Sequence, residues 1–294
     1  MILISILLVL ILEKYLRAVD NYRRFEWYSH FIDWMHDKLA ANKYLSGPLG
    51  ILVVVIPPLL AIWLILFLLG KYHGFFAFLF GIFVLWFSLG PKNLHEEISH
   101  FIDARRRGDK EGAILRLDNV LGDNVPDNDV ALVRAISNAI FVQTSERLTS
   151  VLFWFAILGP LGAALFRFSC LLRNMAEKKF AGNDFANYAE RLYFILLWIP
   201  ARLTALSYAV SGSFVHAFEN WRNQSPRITD EQLDNNEVLL VQTGLGALNL
   251  EEIQPQPDQE GNLQEIETSL GLAFRSMVVW IVVFSVMTLA GWAS

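Results

Sequence analysis

The sequence predicts an all-α protein that crosses a membrane several times, and three observations carry that expectation. Apolar residues make up 54% of the 294-residue chain, with twenty-two Phe and nine Trp among them. Charged residues amount to 18%, where a soluble domain carries roughly 25%. The apolar surplus is gathered into blocks of membrane-spanning length rather than spread along the chain.

The opening block, MILISILLVLIL over residues 1–12, lacks the basic start and small-residue cleavage site of a cleaved signal. It reads as an uncleaved anchor with its N-terminus outside, extended by Tyr15 and Leu16 while Glu13 and Lys14 snorkel. Residues 13–47 are mixed and aromatic, and Phe31, Trp34 and Leu39 suit a helix lying on the membrane interface or packed on the protein itself. The strongest span is Pro48 to Gly70, with a kink expected at Pro57-Pro58. After a tight turn at Lys71-Tyr72-His73-Gly74 the chain crosses back from Phe75 to Leu89, closing a hairpin. Lys14, Arg17, Arg23, Arg24, Lys38 and Lys43 precede the hairpin, more basic residues follow it, and its tip holds Lys71 alone. The positive-inside rule therefore sets both flanking loops in the cytoplasm.

Three helices are expected in 91–148. The first opens at Asn93-Leu94-His95-Glu96-Glu97, its acids in the first turn as the helix dipole favours, and stops at Gly108 after Arg105-Arg106-Arg107. That arginine run reads as an ordinary charged helix end, with contact to anionic lipid headgroups as the alternative. Asp109 caps a second helix, Lys110 to Leu121, and Asn128 to Arg147 makes a third with Val130, Val133, Ile136 and Ile140 on one face. Ser150 to Leu172 is the next span, interrupted by Gly159-Pro160, and residues 173–191 are polar. Leu192 to Val210 is apolar apart from Pro200, Arg202 and Thr204, and reads as a span, a re-entrant piece or a buried helix. A polar, acidic loop is expected over 211–273, with a short helix near Asp230–Val241 and a flexible QPQPDQEG stretch at 254–261, before a final span from Phe274 to Trp292. The domains read as 1–90, 91–148 and 149–294.

Several chemistries are excluded or unsupported. One cysteine, Cys170 in an apolar stretch, rules out an intramolecular disulfide and any CxxC motif, and reads as buried and structural. His95 is followed four residues later by Ser99, so the zincin spacing fails, and Glu97 with His100 has no second pair to make a di-iron site. Gly244-Leu245-Gly246 lacks the third glycine and the strand–turn–helix setting of a nucleotide fingerprint. A net charge of −5 gives no sign of nucleic acid as a partner. No metal site and no cofactor is expected.

Two patches stand out because they put helix breakers and arginines into apolar segments. They are Leu158-Gly159-Pro160-Leu161-Gly162 running on to Arg167, and Trp198-Ile199-Pro200-Ala201-Arg202-Leu203-Thr204. An ionisable group at membrane depth is costly and marks a site by default. Gly159, Pro160, Arg167, Pro200, Arg202 and Thr204 are therefore the candidate ligand-binding residues, the prolines expected to break two helices and the arginines to hold a phosphate or carboxylate. The bland alternative is that both arginines pair within the bundle and brace it.

With Arg107-Gly108-Asp109, these patches also carry a resemblance that covers nearly the whole chain. The sequence resembles the AmpE family of inner-membrane proteins associated with β-lactamase regulation, and AmpE in turn looks like a branch of the CbiB/CobD family of cobalamin biosynthesis. The resemblance to AmpE implies a non-enzymatic, multi-pass inner-membrane regulator in cell-wall stress and antibiotic response, with the lipid bilayer, an anionic cell-wall-derived or lipid ligand, and a homodimer as its partners. CbiB-type enzymes join an amino-alcohol to a cobyric acid carboxylate with ATP and, by implication, Mg²⁺. They look to carry Asn-Thr-Leu-Asp after the arginine matching Arg167, and a paired Asp-Asp before the Pro-Ala-Arg-Leu patch. Here those places read Phe168-Ser169-Cys170-Leu171-Leu172 and Glu190-Arg191-Leu192-Tyr193, leaving Glu177, Asp184 and Glu190 as scattered carboxylates. The regulator is the leading expectation on this ground, an amide-forming synthase the first alternative, and a transporter the second, against which there are few spans and no inverted repeat.

Overall fold

The computed structural model describes residues 2–15, 26–39, 47–90, 94–122, 125–126, 128–180, 182–224, 235–250 and 259–291. Described secondary structure is helical throughout, with no strand among the described residues. Among the described residues three helices are long and apolar enough to cross a membrane, Pro48–Tyr72, Asp184–Ser211 and Asn262–Leu289, and Leu3–Leu12 and Gly74–Ser88 are shorter apolar helices. The all-α polytopic class expected from the blocks is the class found. The chain divides into two compact units, one of residues 1–91, 150–199 and 284–294, the other of 92–149 and 200–283.

The first unit holds α1 (Ile2–Tyr15), α2 (Glu26–Leu39), α3 (Pro48–Tyr72), α4 (Gly74–Ser88), α8 (Ser150–Leu158) and α9 (Pro160–Phe180). The hairpin falls where the turn residues place it: His73 is extended and caps both α3 and α4. α9 lies against α3 and α4, and α2 packs on α3. Their shared core includes Tyr28, Ile51, Val54, Val84, Phe168, Leu172 and Phe180. The amphipathic reading of α2 holds on both faces: Tyr28 and Ile32 are buried, while Trp27 and Trp34 are about half exposed. An ion pair from Lys179 Nζ to Asp33 at 2.7 Å ties this helix to α9.

The expected span at 150–172 is two helices. Gly159, at φ 66°, takes the left-handed conformation that ends α8, and Pro160 starts α9, where its missing N–H costs nothing. α9 then runs past the end of the apolar span to Phe180, through the polar Arg173, Lys178 and Lys179. Arg173 stacks over the Tyr193 ring at 4.4 Å.

The second unit holds α5 (Leu94–Arg106), α6 (Lys110–Leu121), α7 (Asp129–Thr144), α11 (Phe214–Gln224) and α12 (Asn235–Ala247). The cap residues work as expected. Asp109 Oδ1 accepts from the Gly112 N–H at 2.9 Å and Asn128 Oδ1 from the Val130 N–H at 2.8 Å. α7 does not stop at Arg147: a π-helical turn, Ser145–Thr149, carries the chain directly into α8. The stretch 211–273 is not a plain loop, since it contains α11, α12 and the opening turns of α13 (Gln259–Leu289). α11 and α12 pack as a helical pair. Residues 16–25 and 254–258, part of the interfacial and flexible stretches read from sequence, lie outside the described residues.

Pro200 does not break its helix. α10 (Asp184–Ser211) is continuous through it. Proline at 200 removes the N–H that would bond the carbonyl four residues back, at Leu196. Trp154 Nε1 donates to that carbonyl at 2.9 Å, so α8 supplies the bond that α10 lacks. Replacing Trp154 with Phe is expected to lower stability by about 1–3 kcal/mol, the cost of an orphaned buried acceptor. Pro200→Ala returns a backbone donor to Leu196, so W154F should cost much less on that background. Thermal unfolding of both single variants and the double variant in detergent measures the coupling, and strictly additive losses would show that the tryptophan does not serve the proline.

Candidate functional site

The six candidate residues fall into two sets. Gly159, Pro160 and Arg167 belong to the first unit, and Pro200, Arg202 and Thr204 to the second.

In the first unit, Arg167 lines a cavity of about 320 Å³ with Trp27 of α2, Pro58, Ala61, Ile62 and Ile65 of α3, Phe80, Phe83, Val84, Phe87 and Ser88 of α4, and Ala164 and Phe168 of α9. Among these residues Arg167 is the charged one. Its guanidinium lies on the backbone at the end of α4: a Cβ placed on Gly90 would sit 2.7 Å from Arg167 Nη2. Gly90 is also at φ 87°, so the turn and the close approach both need glycine. Higher up, Gly81 brings α4 onto Pro160, whose Cγ would be 3.1 Å from an added Cβ. Tyr28 packs on Phe168 with centroids 4.9 Å apart. Its hydroxyl is buried with no hydrogen-bond partner, and burial pushes its pKa above the ordinary tyrosine value.

In the second unit, α10 carries a polar stripe at helical spacing. Thr204, Ser207 and Tyr208 stand at i, i+3 and i+4 and are all buried. Thr204 Oγ1 meets Thr149 Oγ1 of the π-turn at 2.7 Å, and Ser207 Oγ meets Ser276 Oγ of α13 at 2.6 Å. The Tyr208 hydroxyl donates to the Phe141 carbonyl at 2.8 Å. Two residues before the stripe, Arg202 Nη1 donates to Asn236 Oδ1 at 3.0 Å, and Asn236 is buried on α12. The Gly-Leu-Gly segment serves packing: Gly244 faces the Phe141 ring, with an added Cβ only 2.7 Å away.

Sequence reasoning missed Asn236, Thr149, Trp154 and Gly90. Asn236 lies within the short helix expected near Asp230–Val241, but its polar neighbours gave no sign that it is buried against Arg202. Gly90 carried a usable signal, a Gly-Pro pair closing an apolar span. The arginine run is partly internal, since Arg105 is buried and paired with Asp129, and Arg106 meets Glu267 of α13 at 3.1 Å. His100 and Glu96 make a half-exposed pair at 3.8 Å, consistent with a solvated helix face. Cys170 is buried, as its surroundings indicated. Among the described residues no three or more His, Cys, Asp or Glu side chains are grouped to hold a metal ion. Among the described residues there is thus no all-protein cage for a divalent cation.

Comparison with known proteins gives a consistent result. A family model described as CobD/Cbib protein matches residues 6–230. The Cobalamin biosynthesis protein CobD of Stutzerimonas stutzeri (strain A1501) is 27% identical over 255 residues, 82% of this chain and 80% of that protein. The protein of the same name from Chromobacterium violaceum is 30% identical over 145 residues, 49% of this chain and 46% of the relative. That from Pelobacter propionicus is 25% identical over 178 residues, 60% of this chain and 55% of the relative. No solved structure matches. The CbiB/CobD side of the resemblance is upheld. The expected AmpE-type regulatory role in β-lactamase induction is overturned, because the matched family is CobD/Cbib and these relatives are named cobalamin biosynthesis proteins.

The Gly90 geometry yields a direct check. Gly90→Ala meets both a left-handed backbone and the Arg167 guanidinium, and should lower the melting stability by about 1–3 kcal/mol. Gly81→Ala, with an ordinary backbone and one 3.1 Å contact, is the control and should cost clearly less. Equal melting curves for G90A and the unaltered protein would remove the close approach from the account.

Proposed function

The chain belongs to the CobD/CbiB family, and on that premise we propose that it acts in cobalamin biosynthesis as a membrane-embedded, amide-forming synthase. The observation that carries the reading is the alignment with the Stutzerimonas stutzeri protein, which takes in 82% of this chain and 80% of that one. The reaction implied by the resemblance joins an amino-alcohol to a corrinoid carboxylate. An anionic substrate entering an apolar bundle needs a fixed cation, and a guanidinium matches carboxylate and phosphate geometry in two places at once. Arg202, oriented by Asn236, is the residue assigned to that task.

The proposed location is the cell inner membrane, with residues 91–148 in the cytoplasm. Support comes from the lysines and arginines that flank the apolar hairpin on both sides.

Complementation decides the matter. Expressed in a bacterial strain lacking its own synthase, and given cobyric acid and the amino-alcohol, the chain should restore cobalamin-dependent growth. Arg202→Gln should lower cobalamin output about tenfold or more at equal membrane levels of protein, the loss expected for one charge-assisted contact, while Arg202→Lys keeps part of it. Absence of growth with the protein present in the membrane discards the synthase reading.

A further inference from the structure

We propose that the cavity in the first unit is a binding site for one anionic phospholipid, with its phosphate at Arg167 and one acyl chain lying between α3 and α4. The site is separate from the synthase reading, and its test uses no measure of cobalamin.

The cavity is an elongated slot with unlike ends. α3 and α4 form a hairpin about His73, so Pro58 and Ser88, each fifteen positions from the tip, stand level, as do Ile65 and Phe80 at seven or eight. From Ser88 to Phe80 the slot extends about 12 Å at 1.5 Å per residue. Its lower end has the polar groups: Ser88, and Arg167 against Gly90 just beyond it. Trp27 joins that end through Phe168, the neighbour of Arg167, with ring centroids 6.1 Å apart. Toward the tip the walls are Ile65, Phe80 and Phe83, wholly apolar.

That polarity matches an amphiphile lying parallel to the spans. α2 fixes the level of the polar end. It is an amphipathic helix with Trp27 and Trp34 half exposed on one face and Tyr28 and Ile32 buried on the other. Helices of this kind lie in the headgroup layer, where tryptophan is favoured. A slot whose polar end is at headgroup depth and whose apolar end points into hydrocarbon has the shape of a lipid, not of a water-soluble anion. The charge selects among lipids. A guanidinium carries five N–H donors and can take a phosphate while keeping its contacts with the protein. A zwitterionic headgroup would add a cation beside it.

The experiment uses the full chain purified in mild detergent and exposed to equal amounts of phosphatidylglycerol and phosphatidylcholine, with retained lipid measured by native mass spectrometry. The unaltered protein should retain phosphatidylglycerol about tenfold over phosphatidylcholine, because both bring a phosphate but the choline cation of the latter is repelled by the guanidinium. Arg167→Gln should erase the preference and Arg167→Lys should keep part of it. Ala61→Phe fills the slot with Arg167 intact and should lower retention of both lipids, which keeps the test decisive if R167Q does not fold. Glycerol phosphate, which has no acyl chain, should fail to compete. Equal retention of the two lipids by the unaltered protein, undiminished retention by A61F, or full competition by glycerol phosphate would each overturn the proposal.

Discussion

A proline inside an apolar helix leaves one carbonyl without a donor, and in this chain a single indole makes good the loss. In a membrane interior an unsatisfied backbone group has no water to turn to, so proline is tolerated only where a neighbour steps in. Trp154 does so for Leu196, and α10 survives as one helix of 28 residues. Thr204, Ser207 and Tyr208 share a buried face because they stand at i, i+3 and i+4 on the part of α10 that follows Pro200. Arg202 reaches Asn236 from the same frame.

The second unit extends the rule from backbone to side chains. Its helices meet through hydroxyls in pairs: Thr149 with Thr204, Ser207 with Ser276, and Ser269 with Ser137 at 3.3 Å. Small residues at a helix interface let backbones approach, and each hydroxyl satisfies another where an apolar pair would leave nothing to fix the register. Gly244 serves the same end against Phe141. The π-turn belongs to this arrangement, since its last residue, Thr149, is the partner of Thr204. Turns of this type are often placed at functional sites, and this one delivers a hydroxyl to the stripe on α10.

How much of this was legible in the sequence depends on whether the determining interaction is local. Helix ends set by neighbouring residues were readable: Asp109 and Asn128 as caps, Gly108 as a stop, His73 as the hairpin turn. The hairpin itself followed from hydrophobic length alone. What the sequence could not show was partnership across tens of residues. Pro200 looks like a breaker until Trp154 is known to lie beside it, and Arg202 looks isolated until Asn236, in the short helix expected near Asp230–Val241, is found to meet it. The family was legible in its wider form only. The Gly-Pro and Pro-Ala-Arg-Leu patches carried the resemblance to both AmpE and the CbiB/CobD family, so they could not separate a regulator from a biosynthetic relative.

The last helix shows how a polar stretch and a span become one element. Thirty-one residues at 1.5 Å each make α13 about 46 Å long, against about 30 Å of hydrocarbon, so part of it must stand outside the apolar layer. Composition puts that part at the start, where Glu265 and Glu267 precede the apolar run from Phe274. A free amphipathic end of this kind would fray, since short helices are marginal in water without tertiary contacts. Here it is held by α5 and α7: Arg106 takes Glu267, and Ser269 meets Ser137. The sequence placed the apolar boundary at Phe274 and took it for the helix boundary as well. The two differ because hydropathy reports what the surroundings tolerate, while the helix persists wherever neighbours hold its side chains. The helix of Arg106 thereby fixes the opening turns of α13, and Ser207 of α10 fixes the turn at Ser276.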